Sequence, residues 1–139
     1  MRVVKAPRSR VWQADTDIEK IAEWWGSEGF TITTLEREVK VGGIWRLTMH
    51  GPDGVNYPNR MKYLDISEPV RLEYDHGSDE DPLMFQVITE FVDLGHNDGT
   101  QIISNFKFRS KEERDATSKH AIEGHSSTMR RLDALLSRQ

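Results

Sequence analysis

The 139-residue sequence has no cysteine. Disulfides, thiolate nucleophiles and thiolate metal sites are therefore excluded together. Long apolar runs are also missing. No segment could span a bilayer, and the start, Met1 to Pro7, lacks the apolar core of a signal peptide, so a cytoplasmic protein is expected. Nor is there a surplus of positive charge: the formal net charge is −4. Binding to nucleic acid phosphates needs a concentrated basic surface, so nucleic acid is not an expected partner. Repeats, low-complexity tracts and linkers are absent, and residues 1–139 read as a single domain. With 36% apolar and 30% charged residues, the composition is that of a globular chain long enough to bury a core unaided.

The periodicity changes along the chain. A short β-prone run, Arg2 to Lys5, ends at Ala6-Pro7, and Pro7 to Ala14 predicts a short helix carrying Val11 and Trp12. Thr16-Asp17-Ile18-Glu19 fits a capping box, in which Thr16 caps a second helix. That helix places Ile18, Ile21, Ala22 and Trp25 on one stripe, and Gly26 ends it. From Phe30 the pattern alternates. Thr31 to Val41 is rich in β-branched residues and is broken by Gly42-Gly43. In Ile44 to His50, the residues Trp45, Leu47 and Met49 share a face. Gly51-Pro52-Asp53-Gly54 and Glu68-Pro69 are turns, and the strand between them carries Tyr57, Met61 and Tyr63. Leu72 and Tyr74 share a face in the next strand. The acidic stretch Gly77 to Pro82 reads as a solvated loop. Two longer strands follow, with Phe85, Val87, Thr89 and Phe91 on one face of the first and Ile102, Ser104, Phe106 and Phe108 on one face of the second. Gly95 to Gly99 has the composition of the hairpin turn between them.

Ser110-Lys111-Glu112-Glu113 is a second capping box, opening the longest helical pattern in the chain. Ile122, His125, Met129, Leu132 and Leu136 step along one face. Gly124 predicts a close approach to the sheet, while Arg130 and Arg131 suit the negative end of the helix dipole without further explanation. A run of antiparallel strands and a single long amphipathic helix has one economical arrangement. The expected fold is α+β: a curved antiparallel sheet of about six to seven strands, two short helices after the first strand, and a long C-terminal helix over the concave face.

Several segments resemble the bacterial homologues of the heat-shock protein 90 ATPase activator. They are Ala6-Pro7-Arg8 with Val11-Trp12, Thr16-Asp17 with Trp24-Trp25-Gly26, Gly42 to Met49, Gly51 to Gly54, Tyr57-Pro58-Asn59-Arg60, Gly99-Thr100, Phe108-Arg109-Ser110 and Glu112 to Asp115. The resemblance covers nearly the whole chain, in order, and places it in the SRPBCC superfamily. It implies a helix-grip (START-like, Bet v-like) fold and one of three functions, taken in this order: a carrier of a small hydrophobic ligand (lipid, polyketide or aromatic metabolite), a cyclase- or hydratase-like enzyme, or a co-chaperone-type interaction module. Two positions depart from the family pattern. The first strand is short, and His125 stands where the family usually has tryptophan, which would enlarge an internal cavity and give it a polar ring.

Strand alternation and the helix stripe together predict the cavity lining. It comprises Trp25, Phe30, Trp45, Leu47, Met49, Met61, Tyr63, Tyr74, Phe85, Val87, Ser104, Phe106, His125 and Met129. Aromatic rings with a few polar tips are the usual composition of a small-molecule pocket. His125 stands out among them as a ligand hydrogen-bonding group or general acid/base, against the alternative of a core histidine bonded to a neighbouring strand. His120, Glu123 and His125 do not share a helical face, so no metal site is expected. No nucleophile elbow or phosphate-cradling loop occurs, no catalytic residue is assigned, and no cofactor is implied. A homodimer through a sheet edge or helix face is plausible for a domain of this size.

Overall fold

The computed structural model describes residues 2–81, 83–95 and 98–137, with the side chains of 116–122 outside that description. Expectations that fall on Pro82, His96, Asn97, His120 and Ile122 therefore lie outside the described residues. The elements are β1 (Arg2–Val4), α1 (Arg8–Thr16), α2 (Ile18–Ile21), β2 (Thr31–Arg37), β3 (Ile44–His50), β4 (Asn56–Ser67), β5 (Arg71–Gly77), β6 (Phe85–Asp93), β7 (Thr100–Phe108) and α3 (Lys111–Ser137). All seven strands form one antiparallel sheet in the order β1-β7-β6-β5-β4-β3-β2. Consecutive strands from β2 onward are neighbours because short turns join them, and only β1 crosses over to pair with β7. This is the α+β helix-grip fold expected from the sequence. Helix α3 lies against β7, β1 and α1.

The core sits between the inner face of the sheet and the helices. It contains Val4, Val11, Trp12, Ile21, Trp24, Trp45, Leu47, Met61, Leu72, Phe91, Ile102, Leu132 and Leu136, each at most 5% exposed. Burying side chains of this size is worth roughly 1.5–3 kcal/mol each. Trp12 meets Phe91 edge-on with ring centroids 5.8 Å apart, which ties α1 to β6.

Several local expectations need correction. Asp17, not Thr16, caps α2: its Oδ1 accepts from the Glu19 and Lys20 amides at 2.9 and 3.2 Å. The Thr16 hydroxyl is already committed inside α1, where it donates to the Trp12 carbonyl at 2.8 Å. Helix α2 is a single turn, so the predicted stripe does not form. Ile18 is 51% exposed and Ala22 is exposed, while Trp24 takes the core position and donates its indole N–H to the Ala14 carbonyl at 2.8 Å. Ser110 does cap α3, accepting from the Glu113 amide at 3.1 Å. The Glu113 carboxylate turns to Arg109 at 2.7 Å, so only half of that box forms. The loop after β5 is pinned as well as solvated: Asp79 pairs with Arg46 and Arg60, and Asp81 pairs with Arg109.

Strand β2 stops at Arg37 because the chain turns through Glu38 to Gly43. A Cβ on Gly43 would stand 2.1 Å from the Glu38 carbonyl oxygen, so only glycine allows the turn to close. The same pair anchors β4, with Gly42 N–H donating to the Tyr63 carbonyl and Tyr63 N–H to the Gly43 carbonyl. Gly43→Ala is expected to cost about 2 kcal/mol or more, read as a lowered urea midpoint at unchanged m-value.

Candidate functional site

Three antiparallel strands set the floor of a cavity beneath α3. Their register places Tyr74 beside Val87 and Val87 beside Phe106, forming one row across β5, β6 and β7. The next row is His76, Phe85 and Phe108. Side chains two apart on each strand face the same side, so both rows point inward. Over them lies the middle of α3 with Gly124, His125 and Thr128, and the α2–β2 loop adds Trp25, Gly26 and Ser27 to the rim. Met49 from β3 completes the wall. The space enclosed is about 160 Å³, partly open to solvent.

Seven of the fourteen residues expected at the cavity line it: Trp25, Met49, Tyr74, Phe85, Val87, Phe106 and His125. The other seven do not. Leu47 and Met129 are packed in the core, at 1% and 7% exposure. On α3 it is Thr128, one position before Met129, that faces the cavity. Ser104 turns its hydroxyl to Thr89 Oγ1 at 3.4 Å. Phe30 leans on Tyr57, with ring centroids 6.1 Å apart, outside the cavity. Trp45, Met61 and Tyr63 wall a separate void of about 10 Å³ together with Asp15, Trp25 and Tyr74.

His76 was not anticipated, although its parity with Leu72 and Tyr74 on β5 was the available signal. Its Nε2 lies 2.9 Å from Asn59 Oδ1. The Asn59 amide donates its own N–H to the Tyr57 carbonyl at 3.0 Å, so Oδ1 is the atom facing the ring and His76 Nε2 carries the proton. Burial pulls the His76 pKa down from 6.5 to about 4, so the ring is neutral at physiological pH and its Nδ1 is an acceptor. His125 is also held down to about 4 by burial. It meets Phe106 edge-on at 5.3 Å. Among the described residues it has no hydrogen-bond partner, unlike a core histidine bonded to a strand.

A buried ionic group lies behind the cavity. The Arg37 side chain is 2% exposed and packs 4.5 Å over the Trp45 ring. Its Nη2 donates to the Asp15 carbonyl at 2.5 Å and to the Tyr63 hydroxyl at 3.0 Å, with the Asp15 carboxylate 3.8 Å away. Burial raises the Asp15 pKa to about 6 despite the nearby guanidinium. No sequence pattern marks this group, because its members come from α1, β2 and β4.

The loop from Glu23 to Phe30 is held by Arg131, which dipole complementarity alone does not explain. Arg131 Nη1 donates to the carbonyls of Trp25, Gly26, Ser27 and Phe30 at 2.9–3.2 Å, and Nη2 reaches the Glu23 carbonyl at 3.3 Å. Ser127 Oγ accepts from the Glu28 amide at 2.9 Å. A Cβ on Gly124 would meet Ser27 Oγ at 3.3 Å, so this glycine admits the loop and not, as expected, the sheet.

Elsewhere the structure offers less chemistry. His50 bridges Thr33 Oγ1 at 2.7 Å and Asn56 Oδ1 at 2.8 Å, on solvent-facing strand positions. Among the described residues no group of three or more histidine and carboxylate side chains is placed to hold a metal. No described helix is long and apolar enough to cross a membrane.

Comparison with known proteins is consistent with this architecture. A protein from Arthrobacter aurescens, solved by NMR, is 25% identical over 99% of this chain and 84% of its own, with a TM-score of 0.88. One from Nitrosomonas europaea is 20% identical over 99% and 91%, with a TM-score of 0.85. One from Chromobacterium violaceum is 23% identical over 97% and 93%, with a TM-score of 0.83. No functionally curated protein matches the sequence. The family described as Activator of Hsp90 ATPase homolog 1-like protein matches residues 5–137. Strand order, helix placement and that match agree, and the chain belongs to the Activator of Hsp90 ATPase homolog 1-like family.

Proposed function

We propose that the protein binds a small single-ring aromatic molecule in the cavity beneath α3. The observation that carries this reading is the cavity's content: Trp25, Met49, Phe85, Val87 and Phe106 supply apolar walls, and Tyr74, His76 and His125 supply polar atoms without charge. Size narrows the ligand class. An apolar cavity of about 150 Å³ holds a benzene ring, and drug-sized ligands need roughly 300 Å³ or more. At about 160 Å³ this cavity suits one ring, not a lipid chain or a fused polyketide.

Two other readings receive less support. An enzyme of the cyclase type needs a general base poised near neutrality. His76 and His125, at about 4, are weak bases, and no carboxylate lines the cavity among the described residues. A co-chaperone surface would be favoured by an apolar outer sheet face. Instead the outer positions of β3, β4 and β5 carry a lattice of ion pairs linking Arg46 to Glu36 and Asp79, Arg60 to Asp79, and Arg71 to Asp65 and Glu73.

The test is a thermal-melt and NMR titration with benzene, toluene and phenol. A ligand present at about a hundred times its Kd stabilises the folded state by about 2.7 kcal/mol. His125→Trp restores the large ring usual in the family and should fill the cavity, removing that shift while the melt stays cooperative. If no single-ring compound perturbs the wild-type protein, or if His125→Trp binds as well as wild type, the reading fails.

A further inference from the structure

Two of the polar side chains lining the cavity have a fixed hydrogen-bonding role. His76 stands on the floor, its ring centroid 4.7 Å from that of Phe85. Its Nε2–H is given to Asn59 Oδ1 at 2.9 Å, and the Asn59 amide is itself held by the Tyr57 carbonyl at 3.0 Å. Asn59 lies on β4, so Nδ1, on the other side of the imidazole, faces away from that strand. Among the described residues nothing donates to it. In a neutral ring with its proton on Nε2, Nδ1 only accepts. Thr128, on the helix above, is a second fixed acceptor. Its hydroxyl proton goes to the Gly124 carbonyl at 2.9 Å, one helical turn back, which leaves Oγ1 with lone pairs alone.

The other polar side chains of the lining adapt or donate. Neutral His125 carries one N–H and one bare nitrogen, the Tyr74 and Ser27 hydroxyls give or take, and the Trp25 indole has an N–H. No lysine, arginine, aspartate or glutamate lines the cavity among the described residues, so an ionic ligand would be desolvated with no counter-charge. A bare hydrocarbon is a poor match for a different reason. It takes water from His76 Nδ1 and Thr128 Oγ1 and returns nothing to them. The occupant that meets the fixed requirements is uncharged and brings its own donor.

We infer that the cavity selects a single aromatic ring bearing an uncharged O–H or N–H group, a phenol or an arylamine, which donates to His76 Nδ1, and that Asn59 sets this polarity by holding the His76 proton on Nε2. This rests on the binding reading above and names the ligand class. His76 touches the ligand, whereas Asn59 acts through it and is a positioning residue. Moving the proton to Nδ1 would turn the same nitrogen into a donor and reverse the preference.

The experiment is isothermal titration at pH 7 of wild type, His76→Phe and Asn59→Leu with toluene, aniline and phenol, three rings of one size. Wild type should bind aniline and phenol about tenfold more tightly than toluene, because the analogue without a donor leaves the site's own polar groups unpaired. His76→Phe keeps a ring against Phe85 and should bind all three alike. In Asn59→Leu, donation to Nδ1 leaves the Nε2 proton buried without an acceptor, so the advantage of aniline should fall to about threefold or less. Long-range proton–nitrogen NMR reads the tautomer directly: wild type should show Nε2–H alone, and Asn59→Leu should populate Nδ1–H. A tautomer unchanged in that variant would overturn the role of Asn59. Toluene binding as tightly as the other two overturns the selection, as does a preference that survives His76→Phe. A preference for phenol that aniline does not share also overturns it, since the ligand then accepts and does not donate. These outcomes leave the binding reading standing, whereas binding of none of the three overturns both together.

Discussion

Lowering the pH from 7 to 4 is expected to destabilise the protein by about 3 kcal/mol, with most of the loss below pH 6.5. Two opposed groups of residues set that figure. His76 and His125 have folded pKa values of about 4, below the ordinary 6.5. The unfolded chain therefore takes up protons that the folded chain refuses, and the stability these rings contribute, present above pH 6.5, disappears as pH falls toward 4. Each shift is worth about 3 kcal/mol. Asp15 works the other way. Its folded pKa is raised from 3.8 to about 6, so its contribution is present below 3.8 and is lost as pH rises through 6. Acidification recovers about 3 kcal/mol there. The two histidines outweigh the one carboxyl. Urea denaturation at pH 7, 5.5 and 4 checks the sign and size. His125→Gln should roughly halve the histidine contribution, and Asp15→Asn should steepen the acid dependence because the compensating group is gone. A midpoint independent of pH over this range would contradict the buried neutral state of both rings.

The second large effect is expected from Arg131→Met. The substitution keeps an apolar stem of similar length and removes the donors to five backbone carbonyls of the α2–β2 loop. Hydrogen bonds from a charged donor contribute about 1.5–3 kcal/mol each, but several share one nitrogen and do not add. A loss of about 3 kcal/mol is the expected result. Arg131→Lys should recover little of it, because an ammonium cannot span carbonyls that a flat guanidinium reaches together. The same loop carries Trp25, Gly26 and Ser27 over the cavity. Hydrogen exchange of the amides from Trp25 to Phe30 should therefore accelerate in Arg131→Met while the sheet amides keep their relative protection. Unchanged exchange in this loop would show that the loop is held by its own packing and not by the arginine.

These two predictions rest on features of different visibility. The sheet and the long helix could be read from the chain because alternation and a three-to-four step are local properties, repeated over many residues. Ile44 to His50 shows this: its bounds agree with β3, and Trp45 and Leu47 face the core as their spacing requires. Helix α2 shows the limit. A pattern of apolar residues at helical spacing existed from Ile18 to Trp25, but one turn formed, and burial of Trp24 against α1 decided which residues pointed inward. The cap of α2 falls one residue later than expected for a similar reason: Thr16 and Asp17 are chemically comparable caps, and the Thr16 hydroxyl is taken by the preceding helix.

For the cavity, the sequence alone determined which strand faces look inward, and hence that aromatic rings would gather under α3 with His125 among them. It could not determine where packing would leave a gap. That depends on how far the sheet curls from the helix, which is a sum over many long-range contacts. Only the tertiary structure separated Tyr74, Phe85 and Phe106, which line the cavity, from Leu47 and Met129, which fill the core on the same faces. Only it brought Asp15, Arg37 and Tyr63 together from three distant segments, and only it showed five carbonyls of one loop converging on Arg131. Charge pairs and backbone acceptors across such separations leave no periodic trace in a single sequence, so the helix-grip fold was legible in the chain and these buried polar groups were not.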